Sequence, residues 1–168
     1  MWITNIQPDD RHPHRYIITV DGDVCVSVHE DVLLRLRLKV GSPWDEQRWQ
    51  EIWREEERSR ALHRAYQYLE RRVRTSQELR DHLRRKGFAE QVVNEVLQQC
   101  RQMGFIDDAH YLERAVYYGK ETKGWGPYRL YYALRQKGLK REEIQRAIAR
   151  IPEEEWFSAA LEAAQRKW

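Results

Sequence analysis

The chain has 168 residues, of which 34% are charged and 41% are hydrophobic, and it includes 7 Trp and 9 Tyr. Aromatic side chains in this number bury large areas, so the composition favours a folded protein over a disordered one. The sequence contains no run of about 18 apolar residues, which is the length needed to span a membrane. Its first residues lack the basic and apolar regions of a secretion signal. The 2 Cys form no disulfide framework and suit a reducing, cytoplasmic location.

The net charge of +3 is unevenly distributed along the chain. Residues 1–58 contain 8 Lys and Arg against 12 Asp and Glu, which gives −4, whereas residues 59–168 contain 22 against 15, which gives +7. An acidic first third joined to a basic remainder indicates that the basic part meets a polyanion or an acidic partner. The alternative is an ordinary solvated helix surface.

The first 28 residues have the composition of β-strands. Two runs rich in β-branched residues, 16–20 and 24–28, are separated by Asp21-Gly22-Asp23. Asp-Gly between such runs predicts a hairpin, because Gly adopts a positive φ at little cost. A third strand is expected at 3–6.

From Glu30 the apolar residues follow helical spacing, carried by Val32, Leu33, Leu36 and Val40. We expect this helix to end at Gly41 and the next to begin at Ser42-Pro43, as N-cap and first helical residue. The polar run at 55–60 contains no helix breaker. It is either an exposed part of one long helix or a junction between two elements.

An internal repeat with an offset of 51 residues follows. Segments 76–88 and 127–139 share five identical positions, which are Leu79/Leu130, Leu83/Leu134, Arg84/Arg135, Lys86/Lys137 and Gly87/Gly138. A period of about 50 residues indicates a repeated supersecondary unit.

Each unit is predicted to contain three helices. Thr75 and Glu78 have the spacing of a capping box, Gly87 suits the left-handed position after a helix, and Gly126-Pro127 begins the equivalent second-unit helix. The expected fold is mainly α, with tandem three-helix repeats after a small N-terminal β-hairpin region. The expected domains are a hairpin with helices at 1–58, repeats at 59–106 and 107–155, and a partial third repeat or capping helix at 156–168.

Residues suited to catalysis or metal binding are few. His12 and His14 lie two residues apart, but no second ligand pair accompanies them. Cys25 has no His or Asn placed to activate it, and Cys100 lies on an apolar helix face, which is typical of core cysteines. Asp107-Asp108 is explained by helix capping. We therefore predict a protein that is not an enzyme, with no catalytic residues, no metal and no cofactor.

Cations are instead concentrated at equivalent positions of the two repeats. Segment 71–86 holds seven cations and two anions, a charge of +5, and segment 120–141 holds seven cations and one anion, a charge of +6. Aromatic residues interleave with the second set, namely Trp125, Tyr128, Tyr131 and Tyr132. Rings beside Arg suit single-stranded nucleic acid or a protein hot spot. The alternative is that the tyrosines pack between adjacent units.

Several ordered motifs resemble those of the bacterial RecX family, which regulates the RecA recombinase. The matching segments are AYQYLERR at 65–72, ELR at 78–80, LRRKGF at 83–88, MGFIDD at 103–108, GWGPYRL at 124–130 and LRQKGL at 134–139. The resemblance covers about residues 60–151 and depends on the order and separation of all these motifs.

The resemblance implies an elongated, curved molecule that binds in the groove of the RecA–DNA filament. It implies inhibition of strand exchange and of ATP hydrolysis by RecA, in the regulation of DNA repair and homologous recombination. The implied partners are RecA and the RecA–single-stranded DNA filament, with weak direct DNA binding, and the chain is expected to be a monomer. The alternative is an autonomous helix-turn-helix-like module that binds duplex DNA.

The residues predicted to contact the RecA filament and its DNA come from both basic segments. They are Arg71, Arg72, Arg74, Arg84, Arg85, Lys86, Lys123, Trp125, Arg129, Tyr132, Arg135 and Lys137.

Overall fold

A computed structural model describes residues 1–167, apart from the side chain of Val24. Three strands come first, β1 (Ile3–Pro8), β2 (Arg15–Val20) and β3 (Val24–His29). The helices that follow are α1 (Glu30–Leu36), α2 (Glu46–Arg71), α3 (Ser76–Arg85), α4 (Glu90–Gln102), α5 (Asp108–Glu121), α6 (Pro127–Gln136), α7 (Arg141–Ala149) and α8 (Glu153–Arg166). The predicted mainly α fold with a small N-terminal β region is confirmed.

The chain forms two compact units. Unit 1 comprises Met1–Tyr66 and Phe88–Val96, and unit 2 comprises Gln67–Gly87 and the described chain from Leu97 onward. Within residues 1–167, no helix combines the length and the apolarity needed to cross a membrane.

The sheet of unit 1 is an antiparallel meander in the order β1-β2-β3. Strands β2 and β3 pair in the register Arg15 with His29 through Val20 with Val24, which leaves Asp21-Gly22-Asp23 as the turn. Asp21 and Gly22 both have positive φ, at 50° and 85°. The predicted hairpin and the predicted third strand are therefore both confirmed.

One face of this sheet packs against α1 and the beginning of α2. The buried core of unit 1 consists of Ile3, Ile18, Val20, Val28, Val32, Leu38, Trp44 and Ile52. Alternating strand residues supply half of it. The rest comes from Val32 of α1, Ile52 of α2, and Leu38 and Trp44 of the segment that joins the two helices.

The predicted end of the first helix is wrong. Helix α1 ends at Leu36, because Arg37 adopts a left-handed conformation with φ of 52°. Leu38 can then turn back, its N–H donating to the carbonyl of Leu33 at 3.0 Å and its side chain entering the core. Val40, which shares the predicted helical spacing, is exposed as a result.

The predicted start of the second helix is also wrong. Helix α2 begins at Glu46, where the carboxylate of Asp45 accepts the N–H of Arg48 at 2.8 Å. Pro43 lies outside the helix and forms a β-bridge with Trp2. The pairing of these two segments, distant in sequence, overrides the local preference of Ser-Pro to start a helix.

The polar run at 55–60 belongs to one continuous helix and is not a junction. Part of it is buried, since Glu56 is only 9% exposed. Its carboxylate accepts the backbone N–H of His29 at 2.5 Å and the guanidinium of Arg15 at 3.1 Å. A buried carboxylate with both partners in place ties α2 to β2 and β3.

Unit 2 is built on α5, which packs against α6, α7 and α8. The buried core of these helices consists of Leu112, Val116, Leu130, Leu134, Leu139, Ile144 and Trp156. Cys100 is fully buried, as predicted, and burial raises the pKa of its thiol to about 11.

The helix caps of unit 2 confirm where α3, α5 and α6 were predicted to begin. The Thr75 hydroxyl accepts the Glu78 N–H at 3.2 Å, and the Glu78 carboxylate accepts the Thr75 N–H at 3.3 Å. Asp107 caps α5, and Pro127 takes the first position of α6 after Gly126.

Gly138 allows the end of α6 to approach the beginning of α3 closely. It has φ of 83°, and a Cβ built on it would lie 2.3 Å from the Cβ of Gln77. Gly87, its equivalent in the repeat, has φ of 88°, but among the described residues no atom lies within 4 Å of such a Cβ. The two glycines therefore share one backbone conformation and differ in their surroundings.

We predict that Gly138→Ala destabilises the protein more than Gly87→Ala. Both changes place Ala in the left-handed region, at a cost of about 1–2 kcal/mol. Only Gly138→Ala also forces Gln77 away, which adds about 1–3 kcal/mol of overpacking. Urea unfolding of both variants measures the difference, and equal losses would contradict the close approach.

Candidate functional site

The first group of predicted cations gathers around one histidine. Arg71 lies at the end of α2, whereas Arg85 and Lys86 lie at the end of α3, and all three are exposed. Arg84, also predicted, is exposed on the same last turn of α3. The pKa of His82 is lowered first by burial and then by Lys86, Arg85, Arg74 and Arg71. We call His82 together with Arg71, Arg74, Arg85 and Lys86 the histidine cluster.

Tyr68 orders the histidine cluster. The guanidinium carbon of Arg74 lies 4.0 Å from the centroid of the Tyr68 ring. The His82 ring lies 3.9 Å from that centroid and is within 9° of parallel. Two groups centred over one ring at these distances cannot share a face, so they cover both faces of Tyr68. Sequence reasoning missed Tyr68 and His82, since no local spacing predicts that a ring on α2 meets a ring on α3.

Three of the predicted cations converge on Glu78, and one of them, Arg74, also belongs to the histidine cluster. One oxygen of its carboxylate lies 3.4 Å from Arg72, 3.6 Å from Arg74 and 3.7 Å from Lys137. The other oxygen accepts the Thr75 N–H. The structure thus brings Arg72 and Arg74 from the first basic segment together with Lys137 from the second. These three cations have a structural contact in addition to any role in binding.

The second group of predicted residues lies around the beginning of α6. The guanidinium carbon of Arg129 lies 4.6 Å from the Trp125 ring centroid, and Lys123 lies 5.8 Å from the ring centroid of Tyr118. Arg135 stands apart, because its guanidinium donates to the carbonyl of Leu139 at 2.9 Å.

Tyr128 and Tyr132 are paired on the surface. They are 76% and 52% exposed, and their rings lie 4.8 Å apart with a T-shaped geometry. Their hydroxyls lie 3.3 Å apart, and this hydrogen bond raises the pKa of Tyr132. Tyr131, by contrast, packs partly against the unit 2 core. Tyr128 and Tyr132 are therefore at the surface, whereas Tyr131 is partly buried within unit 2.

We call Lys123, Trp125, Tyr128, Arg129 and Tyr132 the aromatic–basic face. Leu130 and Leu134 point the other way into the core, so the beginning of α6 is held firmly beneath it. Exposed rings flanked by cations stack on bases and attract phosphates, and they also suit a protein hot spot.

The two N-terminal histidines pair with different carboxylates. His12 lies 3.2 Å from Asp9, and His14 lies 3.1 Å from Glu30. Across residues 1–167, no group of three His, Cys, Asp or Glu side chains is placed to hold a metal ion.

Comparison with protein families gives two adjoining matches. The model of the RecX first three-helix domain matches residues 61–100, and that of the RecX second three-helix domain matches residues 107–148.

Curated relatives match over nearly the whole chain. Regulatory protein RecX of Geobacillus sp. (strain WCH70) is 34% identical over 151 residues, which cover 88% of this chain and 56% of that protein. Regulatory protein RecX of Bacillus velezensis is 31% identical, with 95% and 61% covered. For Lacticaseibacillus paracasei the identity is 32%, with 98% and 68% covered. The chain thus spans less than two thirds of the length of the first two relatives.

Solved structures similar to this chain are also RecX proteins. A crystal structure of a regulatory protein RecX superposes with a TM-score of 0.81 at 28% identity, covering 98% of this chain and 81% of that one. The structure of RecX from Lactobacillus salivarius, at 23% identity and a TM-score of 0.60, shares the fold over 66% of this chain and 71% of that one. The chain is a member of the RecX family of regulatory proteins.

Proposed function

We propose that this chain is a negative regulator of the RecA recombinase that binds in the groove of the RecA–DNA filament and lowers ATP hydrolysis and strand exchange. Membership of the RecX family supports a regulatory role. The observation that carries the proposal is the aromatic–basic face, where the exposed rings of Tyr128 and Tyr132 lie on α6 near Arg129, with Lys123 and half-buried Trp125 just before the helix. The proposed partners are RecA and its filament on single-stranded DNA, in the cytoplasm, and the chain performs no catalytic step.

In this proposal the filament DNA lies against unit 2. Bases stack on the exposed tyrosine pair, while Arg129, held over Trp125, keeps a cation beside the phosphates. The histidine cluster supplies a second group of cations for the backbone. The acidic N-terminal part contacts RecA protomers. A protein seated in this way occupies the space that a second DNA needs for strand exchange.

The repeat organisation remains part of the proposal, with repeats at 59–106 and 107–155. The last helix, α8, places Trp156 in the core of unit 2, and Ala159 and Ala163 are buried on the same side. This packing supports a capping role for 156–168. Phe157 and Leu161 are exposed one turn apart on α8, which suits the alternative of a partial third repeat.

The alternative function is autonomous binding to duplex DNA. Four-residue turns join α3 to α4 and α6 to α7, each with a left-handed glycine. Helix pairs joined in this way are typical of helix-turn-helix proteins.

A salt titration separates the two functions. We predict weak binding to bare duplex DNA and at least tenfold tighter binding to RecA–single-stranded DNA filaments at about 0.15 M salt, measured by fluorescence anisotropy. An autonomous DNA-binding module instead binds bare duplex tightly at low salt and weakens steeply as salt rises. Equal affinity for the duplex and the filament would contradict the RecA proposal.

The aromatic–basic face is tested by Arg129→Glu combined with Tyr132→Ala. We predict that the double variant needs at least tenfold more protein to inhibit the DNA-dependent ATPase of RecA, because a stacked base and a phosphate contact are both lost. Arg141→Glu, an exposed change at the beginning of α7, is the matched control and should inhibit normally. Normal inhibition by the double variant would remove this face from the mechanism. Circular dichroism checks that helical content is retained.

The histidine cluster makes a prediction about pH. The pKa of His82 lies below 6.5, and a phosphate bound among the surrounding cations should raise it. NMR titration of His82 with and without a single-stranded oligonucleotide at low salt measures this change. Lys86→Gln should raise the pKa in the free protein as well. No change with saturating oligonucleotide would mean that phosphates do not bind here.

The lowered pKa of His82 also makes the stability of the protein depend on pH. Because the folded protein binds the His82 proton more weakly than the unfolded chain, the contribution of His82 to the free energy of unfolding is fully present above pH 6.5. It is lost progressively as the pH falls below that value.

A further inference from the structure

Unit 2 contains a groove of about 1190 Å³ that none of the predicted binding residues lines. One wall is a face of α5 from Asp108 to Lys120, and the other runs from Glu143 of α7 to Ile151, just beyond the end of that helix. Residues of α3, from Ser76 to Arg80, and Arg101 of α4 also line it. Twelve residue steps of α5 correspond to about 18 Å, the length of roughly three helical turns.

The floor of the groove is aliphatic. Leu112 and Val116 come from α5, Leu139 from the turn before α7, and Ala147 and Ile151 from α7 and its end. A channel of this kind between two helices accepts apolar side chains spaced three or four residues apart on a third helix.

The rim of the groove carries an excess of positive charge. Its cations are Arg80, Arg101, Lys120, Lys140, Arg146 and Arg150, and its carboxylates are Asp108, Glu113 and Glu143. Some of these groups are already engaged. Lys120 pairs with Glu121 at 2.5 Å and Glu155 at 3.6 Å, and Asp108 accepts the Ser76 N–H at 2.8 Å.

Other cations on the rim have no acidic partner within residues 1–167. They are Arg101, Lys140 and Arg150. Arg146 forms only a 3.3 Å hydrogen bond to the carbonyl of Glu142 among those same residues. The groove therefore offers cations along its edge.

These features favour a peptide over a nucleic acid. The aliphatic floor presents no aromatic ring for base stacking, apart from Tyr117 at the edge. Glu113 and Glu143 would repel a phosphate chain laid along the groove, whereas an acidic peptide can place its carboxylates selectively at the cations.

We propose that this groove binds an acidic, amphipathic helix of a protein partner. The helix inserts aliphatic side chains between α5 and α7 and directs carboxylates to Lys140, Arg146 and Arg150. This site is separate from the aromatic–basic face and goes beyond the proposed contact with filament DNA.

The probe is a fluorescent synthetic peptide of about 14 residues, which as a helix matches the length of the groove. Leu occupies one helical stripe and Glu most other positions, and a second peptide has Lys in place of Glu. Anisotropy should show that the full chain binds the Glu peptide at least tenfold more tightly than the Lys peptide.

Arg146→Glu combined with Arg150→Glu should weaken binding of the Glu peptide at least tenfold and strengthen binding of the Lys peptide. The charge-matched control combines Arg141→Glu with Lys167→Glu, both exposed and outside the groove. It should bind the Glu peptide normally.

Four outcomes would overturn the proposal. The first is equal binding of the two peptides, and the second is an equal loss of Glu-peptide binding in the Arg146→Glu, Arg150→Glu variant and the control. The third is weaker single-stranded DNA binding by the Arg146→Glu, Arg150→Glu variant with its peptide binding unchanged. The fourth is loss of self-association by that variant, measured by sedimentation. The third outcome would make the groove a nucleic-acid site, and the fourth would make it an interface between copies of this chain. Arg129→Glu with Tyr132→Ala should leave peptide binding unchanged, which keeps this test independent of the RecA proposal.

Discussion

The arrangement of unit 2 depends on a buried hydroxyl at the beginning of α3. The Thr75 hydroxyl accepts the Glu78 N–H and donates to the carbonyl of Lys137 at 2.6 Å, so it caps one helix and holds the end of another. Thr75 is fully buried, and a lost partner there would leave a polar group unsatisfied at a cost of about 1–3 kcal/mol. Gly138 completes this contact, because only a residue without a side chain fits against Gln77.

This contact also divides the basic residues into two kinds. Glu78, the carboxylate of the same capping box, faces Arg72, Arg74 and Lys137, so part of the positive charge stabilises the contact between α3 and the end of α6. Other cations lie at the surface, among them Arg85 and Lys86 of the histidine cluster, Lys123 and Arg129 of the aromatic–basic face, and Lys140 and Arg150 of the groove rim. Some basic side chains of this protein therefore stabilise the fold, whereas others are available to anionic partners.

Unit 2 consequently presents two surfaces of different chemistry on the same helices. The aromatic–basic face offers rings and cations at the beginning of α6, whereas the groove between α5 and α7 offers an aliphatic floor with a cationic rim. The first suits stacked bases and phosphates and the second suits an acidic helix. Both share the core around Leu112 and Leu134, which gives each surface a firm base.

Local chemistry determined much of the fold from the sequence alone. The capping box at Thr75, the Gly126-Pro127 helix start and the Asp-Gly hairpin act within a few residues, so their patterns are legible without a structure. Only the tertiary structure decided the bridge between Trp2 and Pro43, the stacking of His82 on Tyr68 and the groove between α5 and α7. Each of these features joins segments that are distant in sequence, so no local pattern predicts it. Sequence predicted which residues carry charge, and packing decided which of those charges face solvent.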